Sequence, residues 1–150
     1  MKSVFEPSVT NELIQRINSL TPSSQPQWGK MNVAQMLAHC NVTYELVYED
    51  KHPKPGPVMK LILKLLVKNT VVGEKQYKRN LKTAPEFYIT DERIFEKEKQ
   101  RLIEHITKTQ QLGEKYFEGK ESNSFGKLTA SEWNNMFYKH LDHHLSQFGK

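Results

Sequence analysis

About forty residues, 50 to 90, separate the second stretch of helical periodicity in this chain from the third, whereas neighbouring helices of a bundle are usually joined by about 2–8. A connection of that length carries the chain from one end of a helical assembly to the other, so that two successive helices can run in the same direction. It is broken by His52-Pro53-Lys54-Pro55-Gly56-Pro57 and by Thr83-Ala84-Pro85, where proline cannot continue a helical ladder. Between the breaks, Met59 to Val72 reads as a short helix with Lys60, Lys64 and Lys68 along one side. The pattern predicts a cover helix, its apolar side on the bundle and its lysines in water.

Four longer helices flank the crossover. Leu13, Ile14, Ile17 and Leu20 repeat at helical spacing after Ser8 or Thr10, and Thr21-Pro22-Ser23-Ser24-Gln25-Pro26 ends that run. Asn32 and Gln35 then form a capping-box pair, bracketed by Met31 and Met36. From there an apolar stripe runs through Val33, Met36, Leu37, Cys40, Tyr44 and Val47. A third helix is predicted from Thr90 or Asp91, with Ile94, Phe95, Leu102, Ile103 and Ile106 inward and Gly113 at its end. Thr129 and Glu132 make a second capping box, and the helix it opens runs to about Phe148 and stops at Gly149. No segment alternates convincingly as a strand. The expectation is one all-α domain over residues 1–150, a four-helix bundle wound up-down-down-up with its long crossover between the second and third helices.

Charge narrows the partners. The chain carries +5 overall, yet residues 51 to 82 hold nine basic side chains against Glu74 alone, a local +8 that leaves −3 elsewhere. Basicity confined to one connection does not suit a general nucleic-acid binder, which spreads it over a folded face. The crossover lysines can instead draw an acidic small molecule, seat a homodimer contact or meet a membrane surface. No apolar run approaches the ~20 residues of a spanning helix, and Met1 to Leu13 lacks a signal-peptide core. A lone Cys40 suits a reducing compartment, and a cytoplasmic location is expected.

The chemistry is concentrated in His39 and in His140-Leu141-Asp142-His143-His144. Two histidines four apart on a helix lie about 40° apart around its axis, so both imidazoles can reach one ion. His143 competes with His144 for the second place. With His140 at zero, His144 falls at about +40° and His143 at about −60°, and the apolar stripe of this helix centres near +60°. His144 is therefore the better ligand. A third ligand must come from another helix, and His39 lies about 9 Å from the start of its own. His140 and His144 lie about 12 and 6 Å from the end of theirs, so the levels match when those two helices run antiparallel. The long crossover supplies that arrangement. On its own wheel His39 lies at the edge of the apolar stripe, beside Val42, Thr43 and Leu46.

Trp28-Gly29-Lys30-Met31-Asn32-Val33-Ala34-Gln35-Met36-Leu37-Ala38-His39-Cys40 resembles the second-helix signature of the DinB/YfiT-like superfamily, closest to a DinB-related family of unknown function. Phe125 to Thr129, Glu132-Trp133 and Tyr138 to Gly149 resemble that family's C-terminal signature, so the similarity spans nearly the whole chain. Ser122-Asn123 stands where relatives often carry His-Pro, and Ser146 where arginine is common; both bear on substrate or partner contacts. The resemblance implies a four-helix bundle whose single divalent ion is held by His39, His140 and His144. Zinc is the first expectation, and nickel or iron also suits imidazole ligands.

Three neutral imidazoles leave such an ion its full charge and an open position, which suits Lewis-acid work on water or a thiol. The superfamily includes thiol-dependent transferases and proteins described as metal-dependent hydrolases, and thiol-linked transfer with a low-molecular-weight thiol is the narrower expectation. Leu141 follows His140 where a zincin would carry its glutamate base, and no general base is named. Asp142 is expected in solvent and Cys40 in the core. The competing classes are a metal-binding or stress-response module without turnover, and a helical bundle that binds acidic partners through its crossover.

Overall fold

A computed structural model describes residues 1–150 as a mainly α-helical chain with one two-stranded ribbon. The order is α1 (Pro7–Asn18), α2 (Val33–Tyr48), α3 (Pro57–Leu66), α4 (Lys68–Val72), a 3₁₀ turn (Pro85–Phe87), α5 (Phe95–Phe117), β1 (Glu121–Ser122), β2 (Gly126–Lys127) and α6 (Ala130–Gln147). No helix is long and apolar enough to cross a membrane.

Both capping boxes form. Asn32 Oδ1 accepts from the Gln35 amide at 2.9 Å and Gln35 Oε1 from the Asn32 amide at 3.1 Å; Thr129 and Glu132 exchange the same pair at 3.2 and 3.0 Å. The ends of α1, α2 and α6 fall where expected, whereas two starts differ. α1 begins at Pro7 with no side-chain cap, because proline at the first helical position needs none. α5 begins at Phe95, some residues later than Thr90, since Tyr88 to Ile94 run on as the end of the crossover. Gly113 breaks α5, as expected. It takes φ 69° and ψ 174°, a conformation open essentially to glycine alone, and the helix resumes to bury Phe117 completely.

α2 is the most enclosed element, buried at every position from Val33 to Glu45 except Gln35. It packs on α5, on α6 and on the 3₁₀ turn, while α1 packs on α5 and α6. Apolar side chains hold it toward α6, where Tyr44 stacks on Phe137 at 5.0 Å between centroids. Toward α5 the contact is polar: Asn41 Nδ2 donates to the Glu98 carbonyl and carboxylate at 3.0 Å each, and Arg101 bridges Glu98 and Glu45. Burial alone would raise the Glu45 carboxyl, but Lys51, Arg101 and His52 outweigh it and hold it down at about 2.

The crossover does not lie as expected. α3 buries no residue, and its inner side supplies only Leu63, followed by Val67 in the turn to α4, packed against the core. Lys60 and Lys68 face the body, bridging Glu121 and Glu132 at 2.7 Å each, and the outward side is apolar. The expected cover helix thus carries most of its apolar side chains outward rather than on the bundle. α4 is fixed from below by Lys139, fully buried on α6, whose Nζ donates to the Thr70 and Gly73 carbonyls at 2.8 and 2.5 Å. Burial pushes that amine down to about 8.

Candidate metal centre

α2 and α6 bring His39, His140 and His144 together, with one ligand nitrogen from each within 4.8 Å of the others. His39 and His144 are buried, and His140 opens partly onto a cavity. His39 was an edge position on its helical wheel; because α2 is enclosed on nearly all sides, that edge is interior. His39 Nε2 lies 3.0 Å from His140 Nε2, so the two helices present their histidines at one level.

The other nitrogen of each ring decides what the inward one can do. His39 Nδ1 is 2.9 Å from the Phe87 carbonyl, which can only accept, so Nδ1 carries the proton and Nε2 is a bare lone pair. His144 Nδ1 is 2.8 Å from Gln147 Oε1, and the amide is oriented by Gln147 Nε2 donating to the Trp28 carbonyl at 2.6 Å. His144 therefore also presents a bare Nε2. His140 Nδ1 meets the Thr43 hydroxyl at 3.1 Å, a partner that can donate or accept. Without a cation, His140 Nε2–H donates to His39 and Thr43 donates to Nδ1. With a cation among the three nitrogens, the proton moves to Nδ1 and Thr43 accepts it. Either state satisfies both nitrogens of His39 and of His140.

Protonation agrees. Burial lowers the pKa of all three: His144 to about 3, His140 well below the usual imidazole range with the neighbouring histidines adding to the effect, and His39 downward despite its Phe87 bond. Neutral rings are what a cation requires. Two nitrogens at about 2.0–2.1 Å from one ion, at bond angles near 90–110°, stand about 2.9–3.4 Å apart, which the His39–His140 distance matches. Backbone or side-chain oxygens fix each outer nitrogen, as is usual around metal-ligating histidines. The donor set fits a borderline divalent ion with imidazole ligands.

Beside the triad opens a cavity of about 990 Å³, walled by the loop before α2, the crossover and the β1–β2 ribbon. Its lining is largely apolar, with Trp28, Met59, Leu63 and Phe87 among it and Lys30, Lys54 and Lys82 at its polar edge. Ser122 and Asn123 also line it. His143 stands on the wall outside the ligand group, with its ring edge-on to Trp28 at 5.8 Å and to Tyr77 at 5.7 Å. Asp142 is bound to Arg16 at 2.8 Å, and buried Cys40 has its thiol pushed up by desolvation.

The residues that hold the rings were missed in the sequence, with one partial signal. Thr43 follows His39 by four and Gln147 follows His144 by three, spacings that share a helix face. The Phe87 and Trp28 carbonyls leave no such trace, being set by loops.

Residues 6–150 match the model of a family described as a protein of unknown function (DUF1569). The chain belongs to that family. No curated protein and no solved structure matches it.

Proposed function

We propose that this chain is a DinB/YfiT-like four-helix bundle, wound up-down-down-up, that holds one divalent ion on His39, His140 and His144 and acts on a small molecule in the adjoining cavity. The observation that carries this is the outer hydrogen bond on each ring: Phe87, Thr43 and Gln147 occupy the three Nδ1 atoms and leave the three Nε2 atoms to converge. The contacts of α1 and α2 with both α5 and α6 support the bundle.

An ion held there supplies Lewis acidity, favouring the deprotonated form of a thiol or of water. The ligand group contains no carboxylate and the nearby Asp142 is engaged by Arg16, which leaves Glu86 as the one carboxylate on the cavity wall. A thiol, with a pKa near 8.5, needs far less help than water at about 15.7, which favours thiol-linked transfer over hydrolysis. Trp28, Leu63 and Phe87 would hold the apolar body of the electrophile, and Lys30, Lys54 and Lys82 an acidic group on thiol or electrophile. A storage or sensing module has no need of an open chamber beside its ion, and the cavity favours an enzyme over that alternative.

Metal content by mass spectrometry of untagged protein purified without chelators tests the reading. About one ion per chain is expected in the wild type and in His143→Ala, and much less in His39→Ala and His144→Ala. A wild type that takes up no added zinc, nickel or iron contradicts it. If metal is present, release of product from ester or amide substrates without added thiol would replace transfer by hydrolysis.

A further inference from the structure

Six of the eleven large hydrophobic side chains exposed on this protein belong to the ten residues of α3: Val58, Met59, Leu61, Ile62, Leu65 and Leu66. Val58, Leu65 and Leu66 are 74, 72 and 76% exposed, so they project outward rather than lying flat on the body. A surface helix ordinarily turns such residues in and its lysines out. Here Leu63 and Val67 hold the inner side, and Lys60 and Lys68 are drawn to Glu121 and Glu132 on the body. The leucines are thereby left in water. Lys64 of α3 is exposed, as are Lys75, Lys78, Lys82, Leu81 and Tyr88 further along the crossover.

We propose that α3 is a membrane-seating element that docks the protein on an anionic bilayer surface. Val58, Leu61, Ile62, Leu65 and Leu66 would enter the boundary between headgroups and acyl chains, with the exposed lysines reaching acidic headgroups. Charge decides between this occupant and a second copy of the chain. Of the nine basic side chains in residues 51 to 82, Lys51, Lys54, Lys60 and Lys68 are paired with carboxylates; the other five, against Glu74, leave +4, which two copies meeting through α3 would set against each other and which an anionic surface neutralises. Size points the same way. α3 has ten residues, well short of the roughly 20–30 a side of a stable protein interface, whereas an interfacial helix needs only its apolar face. The inner residues Leu63 and Val67, with the half-exposed Met59, line the cavity beside the histidines, so a seated protein would hold that chamber next to the membrane, within reach of an apolar substrate dissolved there.

Co-sedimentation of the full chain with phosphatidylcholine vesicles, with and without phosphatidylglycerol, tests the proposal. The wild type should pellet with the anionic vesicles at low salt and largely stay in solution with the neutral ones. The triple variant Leu61→Ser/Leu65→Ser/Leu66→Ser should partition about tenfold less or weaker still, with an unchanged thermal melt because those side chains are already exposed. Lys64→Glu/Lys78→Glu should lose the preference for phosphatidylglycerol. Docking does not depend on the ion, so His144→Ala should bind as the wild type does. A wild type that stays in solution with anionic vesicles overturns the proposal, as does a leucine variant that pellets equally well. A wild type that ignores vesicles but forms a dimer dissolved by the leucine changes would make the face a seam between copies.

Discussion

Gln147→Leu removes a strut that reaches the proposed metal centre from outside it. The Gln147 side chain takes the His144 Nδ1 proton at 2.8 Å and gives its own amide to the Trp28 carbonyl at 2.6 Å, fixing both the tautomer and the plane of the ring. Leucine has similar bulk but neither bond, so His144 is free to turn and to place its proton on Nε2. Loss of such an outer partner costs about 10–100-fold in metal affinity, or roughly 1.4–2.7 kcal/mol. Competition with a chromophoric zinc chelator at constant pH, below the melting temperature, reads that ratio directly. Gly29→Ala reaches the same strut independently: Gly29 has φ +82°, and a Cβ there would stand 2.6 Å from Gln147 Nε2. Both variants should weaken zinc binding while retaining their helical circular dichroism. Zinc affinities within about twofold of wild type, in folded Gln147→Leu protein, would refute the idea that this strut sets the ligand.

Three further outcomes follow from the same structure. Thr43→Val removes the only partner of His140 Nδ1 and should lower zinc affinity by about tenfold, measured in the same competition. Glu45 is held at about 2 in the fold against an ordinary value of 4.5, so its contribution is complete above pH 4.5 and disappears as pH falls toward 2. Allowing for screening of its exposed Lys51 partner, about 2 kcal/mol should be lost over that window, and urea melts of Glu45→Gln should show a flatter acid limb. Gly113→Ala should cost about 1–3 kcal/mol in the same melts, because no other residue adopts φ 69° with ψ 174° without strain.

Much of the scaffold was legible because its signals are local. The two capping boxes mark α2 and α6 to the residue, since an Asn or Thr with a Gln or Glu three positions on satisfies the first free amides in any context. The histidine group was legible because i, i+4 spacing and depth along a helix are set by the 1.5 Å rise alone. What escaped depends on contacts distant in sequence. The partners of Lys60 and Lys68, Glu121 and Glu132, lie some sixty residues away, and hydrophobic periodicity could not anticipate that α3 would carry its leucines outward. Burial of His39 likewise required α2 to be covered on nearly every side, whereas its wheel shows one stripe. The resumption of α5 past Gly113 required Phe117 to find a place in the core.

X-ray absorption at the zinc edge, on protein loaded with one equivalent of zinc, tests the proposed centre most directly. The account predicts three histidine nitrogens at about 2.0–2.1 Å, with one of them lost in His144→Ala and all kept in His143→Ala. A sulfur neighbour at about 2.3 Å, or a first shell of oxygens that the histidine substitutions leave unchanged, would contradict it.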